Sequence, residues 1–303
     1  MIDVSGKFET LREAHARAIV RAKPETVDIV RAGKVPKGDV ATSARVAGTL
    51  AAKKTSELIP LCHQVPLDWI KIDVTPGQDE IVVDVVVRTI WKTGVEVDAL
   101  VAASVAALTV YDMLKPIDDG MTISDIRLIK KQGGVSQYTE AISPPLRTVV
   151  LVISDSTHAG RRVDKSGKTI VERLASQPVE VVEFKVLPDD VDLIRQELVR
   201  CCDELRADLV ITTGGTGLGP KDLTVAATKG ILDKEAPGIA EAVRAYGQKR
   251  TPYSMLSQGI AGVRKNTIIV TLPGSSRGAA ESIDALFPGI VHAFRMVRGG
   301  GHD

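Results

Sequence analysis

The sequence predicts two domains of different class, an α+β unit followed by a doubly wound α/β unit. Three observations carry this. The chain has 303 residues, the length of about two domains. Up to residue 134 strand and helix patterns mix without regular alternation, whereas from residue 148 short β-branched runs alternate with amphipathic stretches. Between them lies VSQYTEAISPPLR, residues 135–147, which reads as a linker held extended by Pro144-Pro145.

Charged residues make up 25% and aromatics only 3%, so a globular fold with an aliphatic core is expected. A net charge of +1 argues against a general nucleic-acid binder, while leaving room for local basic pockets. The N-terminal stretch MIDVSGKFETLRE lacks the apolar run of a signal peptide, and no later stretch reads as a membrane span. A cytoplasmic protein is therefore expected. Cys62, Cys201 and Cys202 are odd in number and lack metal-ligand spacing, so they are expected as reduced thiols.

Taken in order, residues 10–21 alternate Ala14, Ala16 and Ala18 with His15 and Arg17, which fits a strand and almost equally an alanine-rich helix. Pro24 opens a short helix that Gly33 closes. A helix rich in small residues starts near Asp39 and is expected to run to Pro60. Residues 67–75 and 80–91 read as strands joined by the turn Pro76-Gly77. GVEVDALVAASVAALTVYDMLKP is a long helix, apolar on nearly every side, as expected of one buried in a domain or an oligomer. A strand over 123–131 closes this half. In the second half, strands are expected at 148–153, 181–187, 208–212 and 266–271. Helices are expected over 166–177 and 190–205, from near Thr224, and finally after the loop LPGSSRGAAES.

Three polar patches stand in apolar surroundings in the first half: Lys37-Gly38-Asp39, Leu61-Cys62-His63, and Asp112 with Lys115. Asp112 and Lys115 share a helix face. They read either as a helix-end salt bridge or as a lysine whose pKa is lowered by burial for acid–base work. Lys37 reads as a solvated lysine or a phosphate contact, and His63 as structural or functional.

The motifs MIDVSGK, KGDV, LIPLCH, KTGVE, AALTVYDMLK and IRLIKKQGG stand in an order and at spacings that resemble the cyclic pyranopterin monophosphate synthases, over residues 1–134. The resemblance implies a ferredoxin-like α+β fold. It implies conversion of a cyclised dihydro-GTP into cyclic pyranopterin monophosphate with release of pyrophosphate. It makes Asp112 and Lys115 the central catalytic pair, and Lys37 and Lys131 phosphate-binding or proton-transferring residues. Leu61, Cys62, His63, Glu96, Val97 and Asp98 would line the substrate pocket, and Arg12 would add charge at the triphosphate. Where that family usually has Gly-Val-Glu-Met-Glu, this chain has Gly-Val-Glu-Val-Asp, so the carboxylate of Asp98 reaches less far. The resemblance also implies a homo-oligomer, a hexamer or another multiple of dimers, with substrate sites at subunit interfaces.

In the second half, ADLVITTGGTGLGPKDLT reads as a buried strand running into a glycine loop. Gly214, Gly215, Gly217 and Gly219 allow φ > 0 and close approach of a ligand, so the loop is a phosphate nest or a plain structural turn. Pro220 excludes a P-loop ending, and the glycine spacing is not the dinucleotide fingerprint, so a nicotinamide dehydrogenase is not expected. Ser154-Asp155-Ser156 and Pro273-Gly274-Ser275-Ser276 also follow strands, where α/β ligands gather, although Ser and Asp there serve equally as helix caps.

TTGGTG followed by Pro220 and Asp222, together with LPDD and these two segments, resembles the molybdopterin-binding domain over residues 148–294. For its adenylyltransferase members this implies transfer of AMP from Mg-ATP to molybdopterin. Asp222 would then position Mg²⁺ or substrate, and Asp189 would be a second acid, with Asp190 as the alternative register and helix capping as the bland role of both. Ser154, Asp155, Gly214, Gly215, Thr216, Gly217, Gly274 and Ser275 would line the substrate site. Other members bind the pterin without adenylylating it, so a non-catalytic binding module is the alternative.

The expected organisation is a synthase domain over 1–134, a linker over 135–147 and a molybdopterin-binding domain over 148–303. Small pterin and nucleotide molecules are the expected substrates, with Mg²⁺ arriving on ATP and no tightly bound cofactor. Molybdopterin synthase is a candidate partner, because sulfur insertion separates the two steps. Neither nucleic acid nor membrane is expected as a partner.

Overall fold

The structure, a computed structural model, describes residues 1–300. It divides into two compact units, Met1–Tyr138 and a second that begins at Thr139.

The first unit runs β1 (Thr10–Arg21), α1 (Pro24–Arg31), α2 (Val40–Lys53), α3 (Thr55–Leu58), β2 (Trp69–Pro76), β3 (Glu80–Trp91), α4 (Glu96–Leu114) and β4 (Thr122–Gln132). The strands form an antiparallel sheet in the order β2-β3-β1-β4. This connectivity is the ferredoxin-like α+β arrangement. The 10–21 segment is a strand, and its period of two shows why: Ala14, Ala16, Ala18 and Val20 are buried, while His15 and Arg17 between them hydrogen-bond to Asp84. Small residues also set the helix packing. A Cβ on Gly48 of α2 would lie 3.0 Å from the Ala102 carbonyl of α4, so a larger residue there would have to push the two helices slightly apart.

Two expectations need correction in this unit. The helix begun at Asp39 stops at Lys53, not Pro60, because Lys54 leaves helical geometry and the buried Thr55 hydroxyl takes the Ala52 carbonyl at 2.9 Å. α4 is also long and apolar enough to cross a membrane, with mean hydropathy 1.6, contrary to the reading of the sequence. Here it lies in the core of the unit, with Ala99, Ala102, Ala103, Ala106, Ala107 and Val110 fully buried, while Leu108 remains exposed.

The second unit runs β5 (Leu146–Ile153), α5 (Asp155–His158), α6 (Ser166–Leu174), β6 (Val179–Leu187), α7 (Val191–Asp203), β7 (Leu209–Thr213), α8 (Thr224–Lys229), β8 (Lys234–Glu235), α9 (Pro237–Gln248), β9 (Ala261–Arg264), β10 (Thr267–Leu272), α10 (Ser276–Leu286) and α11 (Gly289–Val297). Its sheet has the order β6-β5-β7-β10-β9-β8. The first four strands are parallel, and β9 is antiparallel to both its neighbours. Successive residues of β5 enter opposite cores, Val150 with α6, α10 and α11, and Val149 and Leu151 with α7 and α8. Burial on both faces explains the unbroken apolar runs and makes the fold doubly wound.

Here the structure adds β8, α9 and β9, which the sequence reading did not place. The final loop is shorter than expected, since α10 begins at Ser276, and the single final helix is two, α10 and α11. Within 135–147, Val135–Tyr138 form a 3₁₀ turn and Leu146 and Arg147 already belong to β5. Glu140 pairs with His292 and Arg295 of α11, which ties this segment to the second unit.

Candidate functional site

In the first unit, the last turn of α4 presents Asp112. Lys115 Nζ meets its Oδ1 at 2.8 Å, and Lys37 Nζ meets both its Oδ2 and its main-chain carbonyl at 2.8 Å. Hydrogen bonds from Lys115 and then Lys37 push the Asp112 carboxyl down to about 2. The same bond raises Lys115 above the ordinary lysine value. In the single chain the geometry is thus that of the helix-end salt bridge. Lys115 is exposed rather than buried, and its neighbour is a carboxylate, which favours the charged ammonium.

The first turn of α4 holds Glu96, Val97 and Asp98, of which Glu96 lines a cleft of about 620 Å³ and Val97 and Asp98 do not. Arg12, Glu96 and Lys131 line it, as do Lys7, Lys92 and Lys130, which the sequence reading missed. Lys130 carried a signal, standing beside Lys131 in the quoted IRLIKKQGG; Lys92 stood likewise in KTGVE. Arg12 is 9% exposed and donates to the Trp91 and Lys92 carbonyls, each at 3.1 Å. Glu96 lies 3.8 Å from Lys131. Asp98 is 3% exposed, its Oδ2 has no hydrogen-bond partner, and burial pushes its carboxyl up to about 6. Burial also raises the Cys62 thiol, helped by the charges of Asp98 and Glu96. His63 donates from Nε2 to the Ile2 carbonyl at 2.8 Å, while Leu61 is exposed.

These residues form two groups, not one. Asp112 lies sixteen residues beyond Glu96 on the same helix, about 24 Å at 1.5 Å per residue. A single copy brings Lys37, Asp112 and Lys115 together at one end. At the other end it brings Arg12, Glu96 and Lys131 together.

In the second unit, the C-terminal ends of β5, β7 and β10 open on a cleft of about 380 Å³. Of the expected residues, Ser154, Gly214, Gly274 and Ser275 line it, and Arg162, Asp164 and Lys165 were missed. Ser154 and Ser275 also cap their helices, accepting from the Thr157 and Gly278 amides. Asp164 accepts from the Gly167 and Lys168 amides and so fixes the start of α6.

Gly214 has φ +100°, and a Cβ there would lie 2.2 Å from the Ile153 carbonyl, so the loop turns tightly against β5. The expected nest is partly spent within the fold: the Gly214 amide donates to Leu272 and the Gly219 amide to Asp222 Oδ2 at 2.7 Å. The glycine loop wraps this carboxylate, since a Cβ on Gly217 or Gly219 would meet Asp222 within 3 Å. Thr216 is buried, and its carbonyl and that of Gly217 accept from Gln258. Lys221 of the same loop pairs with Asp155 at 3.0 Å, and Asp155 is linked to Asp189. Asp190, by contrast, caps α7.

Among the described residues no three acidic, His or Cys groups converge as a metal cage. The donor set at Asp222 is a single carboxylate. Such a carboxylate could help hold Mg²⁺ together with phosphate oxygens.

Residues 1–134 match the MoaC family, and residues 149–292 match the probable molybdopterin binding domain. The whole chain is 43% identical, over 96% of the relative's length, to the molybdenum cofactor biosynthesis bifunctional protein of Chlorobaculum tepidum. It is 36% identical, over 98% of the relative, to the protein of the same name from Synechococcus elongatus. The first 45% of the chain is also similar to the cyclic pyranopterin monophosphate synthase of Thermomicrobium roseum, at 53% identity over 83% of that protein. Likeness that runs through both units and nearly end to end makes this chain a member of the family of molybdenum cofactor biosynthesis bifunctional proteins.

Proposed function

We propose that the first unit converts a cyclised dihydro-GTP into cyclic pyranopterin monophosphate, releasing pyrophosphate, at a site completed by two copies of the chain. The observation that carries this is the separation of its two polar groups along α4. Arg12, Lys92, Lys130 and Lys131 supply the positive charge that a triphosphate needs. Lys115 and Asp112 supply a proton donor and the carboxylate that holds it charged. A substrate of this size cannot span about 24 Å of helix, so the Asp112 end of one copy serves the Arg12 end of another. Exposed Val46, Leu50 and Leu108 on α2 and α4 offer the apolar surface for that association. Mixing tests it. Arg12→Ala and Lys115→Ala proteins, each inactive, should regain part of the activity when co-assembled. No recovery in mixed oligomers would contradict a shared site.

For the second unit the reading is adenylyl transfer. A phosphate oxygen of molybdopterin attacks the α-phosphorus of Mg-ATP, the bond to the β-phosphate oxygen breaks, and pyrophosphate leaves. Asp222 holds the metal-bound phosphates, Lys221 next to it in the loop adds positive charge, and Arg162 and Lys165 bring charge to the cleft at the strand ends. A second reading has support in the Gly219–Asp222 hydrogen bond, which occupies one oxygen of that carboxylate. Under it the unit binds the pterin without chemistry. Incubation with molybdopterin, ATP and Mg²⁺ separates the two by whether an adenylylated pterin forms. The two reactions are not consecutive, since sulfur must be inserted between them. The fusion therefore serves to co-supply the activities or to recruit molybdopterin synthase.

A further inference from the structure

We propose that Gln258 is a positioning residue of the second unit, which turns the glycine loop so that the Gly217 and Leu218 amides face a phosphate group of a substrate beside Asp222. The inference rests on the reading of this unit as one that binds the phosphate groups of its substrates.

The glycine loop leaves β7 at Thr213 and reaches α8 at Thr224. Gln258, 41 residues beyond Gly217 in sequence, takes hold of it twice. Its main-chain amide donates to the Thr216 carbonyl at 2.9 Å, and its Nε2 donates to the Gly217 carbonyl at 2.8 Å. A peptide group is planar and trans, so its C=O and its N–H point in opposite directions. Two successive carbonyls drawn to Gln258 therefore turn the amides of Gly217 and Leu218 to the far side. Among the described residues those two amides donate to nothing, whereas those of Gly214 and Gly219 are committed within the fold. Successive N–H groups on one side of a loop form a concave donor pair for an anionic oxygen. Asp222 bounds this place, since a Cβ on Gly217 would lie 2.7 Å from its Oδ2. Lys221, adjacent in the loop, offsets part of that negative charge.

The segment that carries Gln258 is itself fixed. Arg244 of α9 donates from Nη1 to the Gly259 carbonyl at 2.7 Å. The Ile260 amide donates to Thr271 Oγ1 of β10 at 2.7 Å, and the Thr271 amide donates back to the Ile260 carbonyl at 2.9 Å. Gln258 is exposed and stands outside both cores of the unit, so its side-chain bond holds the loop rather than the fold.

Calorimetric titrations of the full chain with Mg-ATP and, separately, with molybdopterin test this. Gln258→Met keeps the side chain's length and the main-chain amide but loses the donor. It should weaken binding of at least one ligand about five- to tenfold, the scale of one hydrogen bond. Gln258→His can place a ring N–H where the Gln Nε2 stands. At about pH 8, where the ring is neutral, it should bring binding back to within about twofold of wild type. In turnover the weakened ligand's KM should rise while kcat holds, and the second unit's unfolding temperature should stay within about two degrees. A loss confined to Mg-ATP names the nucleotide as the source of the phosphate, and one confined to molybdopterin names the pterin. Unchanged binding of both ligands in Gln258→Met, or a loss that Gln258→His does not recover, would overturn the role of Gln258 and leave the phosphate-binding reading standing. A wild-type chain that binds neither ligand would overturn both.

Discussion

Asp155 and Asp189 hold each other: the Asp155 amide donates to Asp189 Oδ2 at 2.9 Å, and the Asp189 amide donates to Asp155 Oδ1 at 3.0 Å. This exchange joins the C-terminal ends of β5 and β6. The Asp189 amide, with help from Lys221, also holds the Asp155 carboxyl below its ordinary value. The adjacent Asp190 does something different, accepting from the Asp192 and Leu193 amides at the start of α7.

Two neighbouring acids with separate tasks should separate in mutants. Asp189→Ala removes the acceptor of the Asp155 amide and loosens the turn that carries Asp155, the partner of Lys221. Formation of adenylylated pterin should fall by at least about tenfold, on the scale of a lost charged hydrogen bond. Asp190→Ala should instead lower the stability of the second unit by about 1 kcal/mol, the worth of a helix cap, with activity retained. Product assays and thermal unfolding of both variants check this.

Asp98 makes the stability of the first unit depend on pH. Its folded carboxyl titrates at about 6, against about 3.9 when unfolded. The folded state therefore binds the proton more tightly. The associated stability is fully present below about pH 4 and lost as pH rises through about 6, an amount on the order of 3 kcal/mol. Asp98→Asn should raise the unfolding temperature at pH 7.5 and change it far less at pH 4.5. Equal shifts at both values would contradict a carboxyl raised by burial.

Gly214 is where the second unit's loop is least forgiving. With φ at +100° and a Cβ only 2.2 Å from the Ile153 carbonyl, alanine cannot be seated without moving β5. Gly214→Ala should cost about 2 kcal/mol or more, seen as a lower unfolding temperature for the second unit. Gly160, with φ +69° but nothing within reach of a Cβ, should lose less on the same substitution.

Much of this was legible in the sequence where side-chain period or a special residue forced one structure. The 149–153 run of β5 is apolar at every position because both its faces are buried, and Asp39 and Asp190 stand where helices begin and cap them. The site was less legible. Motif order names Asp112 and Arg12 together, but only the length of α4 shows that one copy keeps them apart. Likewise, whether Lys115 loses or gains proton affinity depends on a carboxylate 2.8 Å away and on exposure, neither of which a spacing of three residues reveals. The missed residues Lys7 and Arg162 sit on irregular segments, where no period says which way a side chain points.

The central claim is that one chain carries two independent chemistries, and measuring both reactions on the same two variants tests it directly. Lys115→Ala should lose pyranopterin formation by at least about a hundredfold, the scale of a general acid or base, and keep adenylylation at the wild-type rate. Asp222→Asn, which retains an acceptor for the Gly219 amide but loses the charge, should do the reverse. Equal loss of both activities in either variant would contradict two separate sites.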